Sequence, residues 1–133
     1  MTSDQANRRR KKRYGVKGST IQYRKGGLLS FLGASSAKCI VINISEFGLA
    51  FVTKGELRPA DKIALSIDAP KLAEPIAVNG RVLWVKKADD INAYKVGVEF
   101  NKLAGRVKSN LKSLLDNALL DSVDISTRYI TIN

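Results

Sequence analysis

The sequence predicts an all-β-dominated fold: a six-stranded antiparallel β-barrel followed by a C-terminal amphipathic α-helix. Three observations carry that expectation. Short stretches of alternating apolar residues recur along most of the chain, each bounded by turn-forming residues. After residue 102 the apolar period lengthens from two to three and four, the repeat of a helix with one buried face. Finally, 133 residues with 44% hydrophobic content suit a single domain with a real core.

The elements follow in order. Residues 1–7 are polar and featureless and read as a tail. Arg8 to Arg13 is an unbroken run of cations, which repel one another and cannot fold alone. Tyr14 to Tyr23 alternates as a first strand. Residues 24–36 form a break rich in glycine and serine, with an apolar knot of Leu28, Leu29, Phe31 and Leu32. That knot either folds back onto the core or offers a protein-docking patch.

Ala37 to Ile44 reads as a second strand, with Ile40, Ile42 and Ile44 on one face and Cys39 and Val41 on the other. With both faces apolar it should be central. A turn at Ser45–Gly48 leads to a third strand, Leu49 to Thr53, and Lys62 to Ile67 makes a fourth. Ile76, Val78, Gly80, Val82 and Trp84 line one face of the fifth, and Tyr94 to Phe100 completes the set. These strands and the helix would form one domain over residues 8–120, the cationic run at 8–13 being its mobile loop.

The helix is expected over 103–120. Leu103, Val107, Leu111, Leu114, Leu115, Ala118 and Leu119 form its stripe, and Asn101 its N-cap. The stripe would cover the barrel; pairing with a second copy is the alternative, so both monomer and homodimer stay open. Residues 121–133 read as a C-terminal extension in which Tyr129 to Ile132 suggests an added edge strand.

Charge narrows the function. The net charge is +11, and residues 1–25 hold nine Lys/Arg against one acid, Asp4. The remaining residues hold 14 Lys/Arg and 11 Asp/Glu, so the body is nearly balanced and the anion-seeking charge is local. A phosphate-bearing partner gripped at one end fits this pattern. Arginine in that run matters, because a flat guanidinium makes paired hydrogen bonds to phosphate and stacks on aromatic planes.

Other classes recede. With a single cysteine, Cys39, and no histidine, the chain has no internal disulfide, no common zinc spacing and no Ser-His or Cys-His pair. The twelve acids are scattered, so catalysis is not expected, nor is a cofactor. No secretory pattern or apolar run of spanning length appears, so a cytoplasmic protein is expected.

A second motif lies at the turn after the second strand: Asn43-Ile44-Ser45-Glu46-Phe47-Gly48. Asn43 offers an amide donor and a carbonyl acceptor, and Ser45 a hydroxyl that does either. Two apart on a strand, they would leave on the same face and suit a guanine edge. Gly48 would supply positive φ and a close backbone approach. The alternative is a polar strand end and a glycine turn that needs no ligand.

Taken together, the two motifs resemble the PilZ domain family. Arg8, Arg9 and Arg13 match its Arg-Arg-x-x-x-Arg loop, with Arg10 a possible substitute in that register, and Asn43, Ser45 and Gly48 match its Asp/Asn-x-Ser-x-x-Gly. Gly80-Arg81-Val82-Leu83-Trp84 and Lys95 to Phe100 are similar to its later strands. The resemblance implies a PilZ-like barrel that binds the bacterial second messenger cyclic di-GMP. It further implies an arginine loop that orders over the nucleotide and modulates a protein effector, in motility, biofilm or related signalling. Two rivals keep the barrel: a nucleic-acid binder using the basic arm on phosphates, and a ligand-independent protein-interaction module. The first is disfavoured, because the strands show no platform of spaced exposed aromatics.

Overall fold

The structure is a computed structural model that describes residues 13–26, 35–88 and 92–132, with side chains to residue 118 in the last stretch. Six strands, β1 (Thr20–Lys25), β2 (Cys39–Ile44), β3 (Gly48–Thr53), β4 (Lys62–Asp68), β5 (Ile76–Lys87) and β6 (Tyr94–Phe100), precede one helix, α1 (Gly105–Ile132). The strands close into a barrel in the order β1-β2-β3-β6-β5-β4, and every pairing is antiparallel. This is the architecture the alternating pattern predicts. The tail at 1–7 and the apolar knot of Leu28, Leu29, Phe31 and Leu32 lie outside the described residues.

Alternation fills the barrel interior. Ile21, Ile44, Leu49, Phe51, Ile63, Ile67, Val82 and Val96 are almost wholly buried, in one cluster with Leu111, Leu114 and Leu115 of α1. The helical stripe therefore does cover the barrel. Burying one leucine-sized side chain contributes about 1.5–3 kcal/mol, so three from α1 bind the helix firmly.

The strand starts differ from expectation in one instructive place. The alternation at Tyr14 does not run on into β1. Tyr14 forms an isolated bridge with Ile44, and the chain then turns at Lys17–Gly18 before β1 begins at Thr20. Gly18 has a φ of 76°, which breaks a strand and which a residue with a Cβ rarely adopts. The buried Ser19 fastens the turn, its hydroxyl donating to the Val16 carbonyl at 2.6 Å.

The face assigned to β2 needs correction. Ile40 and Ile42 are 71% and 39% exposed, whereas Ile44 is fully buried. A β-bulge between Val41 and Asn43 inserts a residue against β3, which shifts the phase of alternation between Ile42 and Ile44. Cys39 and Val41 take the interior instead. A second irregularity between Val82 and Trp84 leaves Trp84 only partly buried, opposite Gly97 on β6.

The helix also departs from its expected limits. Asn101 does not cap it: its N–H donates to the Asn79 carbonyl, continuing the sheet beyond β6. The first helical bond runs from the Lys108 N–H to the Ala104 carbonyl, and α1 then continues to Ile132. No edge strand forms at 129–132. No glycine or proline follows Gly105, so nothing local stops the helix where the stripe becomes more polar.

Candidate functional site

The end of the cationic run and the start of the second motif meet on the barrel surface. Tyr14 and Ile44 exchange two backbone hydrogen bonds, of 2.8 and 2.9 Å, and this bridge seats the segment before β1 against the last residue of β2. Arg13 and Asn43 are their immediate neighbours. The Arg13 guanidinium donates to Asn43 Oδ1 at 3.0 Å in an exposed setting. An amide oxygen held by a guanidinium keeps its own NH₂ available as a donor, and the guanidinium keeps further N–H donors for an anion.

Ser45 has a different place. It is buried at 4% exposure, and its hydroxyl accepts from the Phe47 and Gly48 N–H groups, both at 3.2 Å. The same hydroxyl donates to the Gly48 carbonyl at 3.3 Å, and the Ser45 N–H reaches that carbonyl at 2.8 Å. With two acceptances and one donation the hydroxyl is saturated. Its work in this structure is to fold the turn.

Gly48 is required for packing, not for positive φ. Among the described glycines positive φ occurs at Gly18, while Gly48 already belongs to β3. A Cβ at Gly48 would collide with the Val98 carbonyl oxygen across the β3–β6 pairing. Extended backbone explains why the expected left-handed conformation is absent.

Among the expected site residues, then, Arg13 and Asn43 are in contact, Ser45 and Gly48 shape the turn beside them, and Arg8 and Arg9, with the possible substitute Arg10, lie outside the described residues. Reading the sequence alone passed over Phe47. It is half exposed at the tip of the same turn, and its carbonyl accepts from the Phe100 N–H at 2.7 Å, tying the turn to the end of β6. A lone aromatic inside a polar hexapeptide was the available signal. Among the described residues no cluster of His, Cys, Asp or Glu could hold a metal ion. Among the described residues no helix is long and apolar enough to cross a membrane.

Comparisons with known proteins bear on the fold and the family. A search of curated proteins found no match to the chain. Among solved structures, the chain is similar to Escherichia coli YcgR in complex with c-di-GMP, at TM-score 0.71 and 10% identity over 92% of this chain and 50% of that one. It is also similar to the isolated PilZ domain of E. coli YcgR with c-di-GMP, at TM-score 0.69 and 12% identity, covering 90% of this chain and 98% of that one. A third is the Bacillus subtilis inhibitor of motility MotI/DgrA, at TM-score 0.65 and 17% identity over 88% of this chain and 52% of that one. The chain thus spans about half the length of MotI/DgrA and of full YcgR. At these identities the likeness is one of fold. The PilZ domain family model matches residues 7–117, from the cationic run to the covering helix, and the chain belongs to the PilZ family.

Proposed function

We propose that the protein is a receptor for cyclic di-GMP that works as an adaptor, without catalysis. The observation that carries this reading is the Arg13–Asn43 hydrogen bond, which joins the end of the arginine motif to the start of the second motif. Support comes from family membership and from the two similar YcgR structures that contain c-di-GMP. In this reading Arg8, Arg9 and Arg13 pair with the phosphates and stack on guanine, with Arg10 able to share that role. Asn43 reads a guanine edge with its free amide donors, while Ser45 and Gly48 keep that edge-reader in place through the turn. Closing the arm over the nucleotide changes the surface offered to a protein effector, so recruitment becomes ligand-dependent.

Each charge-assisted bond is worth about 1.5–3 kcal/mol. Loss of Arg9 or Arg13 should therefore weaken binding at least about tenfold. The test is calorimetric titration of cyclic di-GMP into the wild type and into Arg9→Ala, Arg13→Ala and Asn43→Ala, with GTP and a generic RNA as controls. Undiminished affinity in all three variants, or no heat with cyclic di-GMP beside tight, steeply salt-dependent RNA binding, would refute the reading.

A further inference from the structure

Where the turn after β2 and the end of β6 meet α1, the barrel and the helix border a groove of about 390 Å³. Phe47, Phe100, Leu103 and Leu111 supply its apolar lining, and Lys102, Lys108 and Lys112 its cations. We infer that this groove is a docking site for an acidic segment of a partner protein that inserts one bulky apolar side chain. The groove borders the turn of the second motif through Glu46 and Phe47 but includes neither Arg13 nor Asn43, and the inference does not rest on nucleotide binding.

Charge complementarity is the first support. The three lysines are exposed and face a single acid in the lining, Glu46. Arg81 and Glu99, on β5 and β6, form an ion pair that does not involve these lysines. Lys108 and Lys112 are four residues apart on α1, close enough to repel each other. Lys108 also sits at the end of the first turn of a helix whose first turn holds no acid, where the macrodipole disfavours cations. The free protein thus holds positive charge in an unfavourable place, and an anionic partner relieves it.

Shape and lining select the partner class. Ligand pockets run from roughly 300 to 1,000 Å³, so this groove, at the small end, has room for one bulky apolar side chain and the peptide backbone that carries it. Leu103 and the half-exposed Phe47 give such an anchor an apolar seat at the mouth, above the buried Phe100 and Leu111. A nucleic-acid strand would ask for several stacking faces, and Phe47 is the exposed aromatic in this lining.

The test pans a display library of randomised twelve-residue peptides against the full chain, without nucleotide. A Lys108→Glu/Lys112→Glu variant serves for counter-selection, and its melting temperature is measured first to establish that it folds. The expected clones carry at least two acidic residues around a Leu or Phe. As synthetic peptides they should bind wild type at least tenfold more tightly than the double variant, and lose affinity with Phe47→Ser, a check that does not depend on charge. Enrichment of neutral or basic peptides, or equal binding to the double variant, would overturn the inference. So would either of two other occupants: a dimer in light scattering that the double substitution dissociates, or a labelled twenty-nucleotide RNA whose binding it abolishes.

Discussion

Arg13 and Asn43, thirty residues apart in sequence, share a hydrogen bond of 3.0 Å on the barrel surface. The adjacent Tyr14–Ile44 bridge, not the side chains themselves, brings them together. In solvent such a contact adds little stability, less than about 1 kcal/mol. Asn43→Ala should leave the urea midpoint nearly unchanged while lowering affinity for cyclic di-GMP about tenfold. A variant that loses stability and affinity in proportion would assign Asn43 to the scaffold instead.

Ser45 should behave in the opposite way. Removing its hydroxyl strands the Phe47 and Gly48 N–H groups, one of them in buried surroundings. Ser45→Ala is expected to cost about 1–3 kcal/mol in chemical denaturation, with any loss of nucleotide affinity following from the disturbed turn. Stability equal to wild type would show that water takes over the bonds.

Gly48→Ala forces a methyl group against the Val98 carbonyl oxygen. Either β3 separates locally from β6 or both strands shift, at a cost of about 1–3 kcal/mol. Amide chemical shifts should change most along the Gly48–Glu99 and Leu49–Val98 pairs, and little along the distant Gln22–Ser66 pair. Uniform small changes would contradict the steric account.

Ala60 offers a gain. Its φ is 77°, left-handed backbone in a residue with a Cβ, at an exposed turn before β4. The turn is held by the Ala60 N–H donating to the Val82 carbonyl at 2.8 Å and the Arg58 N–H to Asp61 Oδ2 at 2.9 Å. A left-handed residue costs about 1–2 kcal/mol unless it is glycine. Part of that is offset by the greater unfolded-state freedom of glycine, so Ala60→Gly should stabilise by about 0.5–1 kcal/mol in thermal melts.

The barrel and its covering helix were legible because both rest on periodicity, and Phe51, Val96 and Leu111 lie where periods of two and then of three and four put them. Periodicity cannot show a bulge. The extra residue between Val41 and Asn43 turned Ile40 and Ile42 outward in a stretch that looks apolar on both faces. The same limit hid the inward fold of the Ser45 hydroxyl, since Asn-x-Ser spacing matches a ligand edge and a self-satisfied turn equally well. Asn101 looked like a cap by residue type, but sheet pairing with Asn79 continues through it and the helix starts only at Gly105. Tyr129 to Ile132 looked like a strand by its β-branched content, and helical continuity prevailed. In the site, the family pattern assigns Arg13 and Asn43 each to the nucleotide; that they hydrogen-bond to each other is visible in the structure alone, since no local rule of spacing would find it.

The ring of strands is unevenly spliced. β1 shares six register pairs with β4 but two with β2, Thr20↔Ile40 and Ile21↔Cys39, after which irregular bonds from Ser36 to Tyr23 take over. Short splices open first, so native-state hydrogen exchange should find its fastest strand amides on this seam while the β1–β4 ladder stays protected. Because β2 leads from that seam directly into Asn43, the barrel can flex next to its candidate nucleotide contacts without unfolding as a whole.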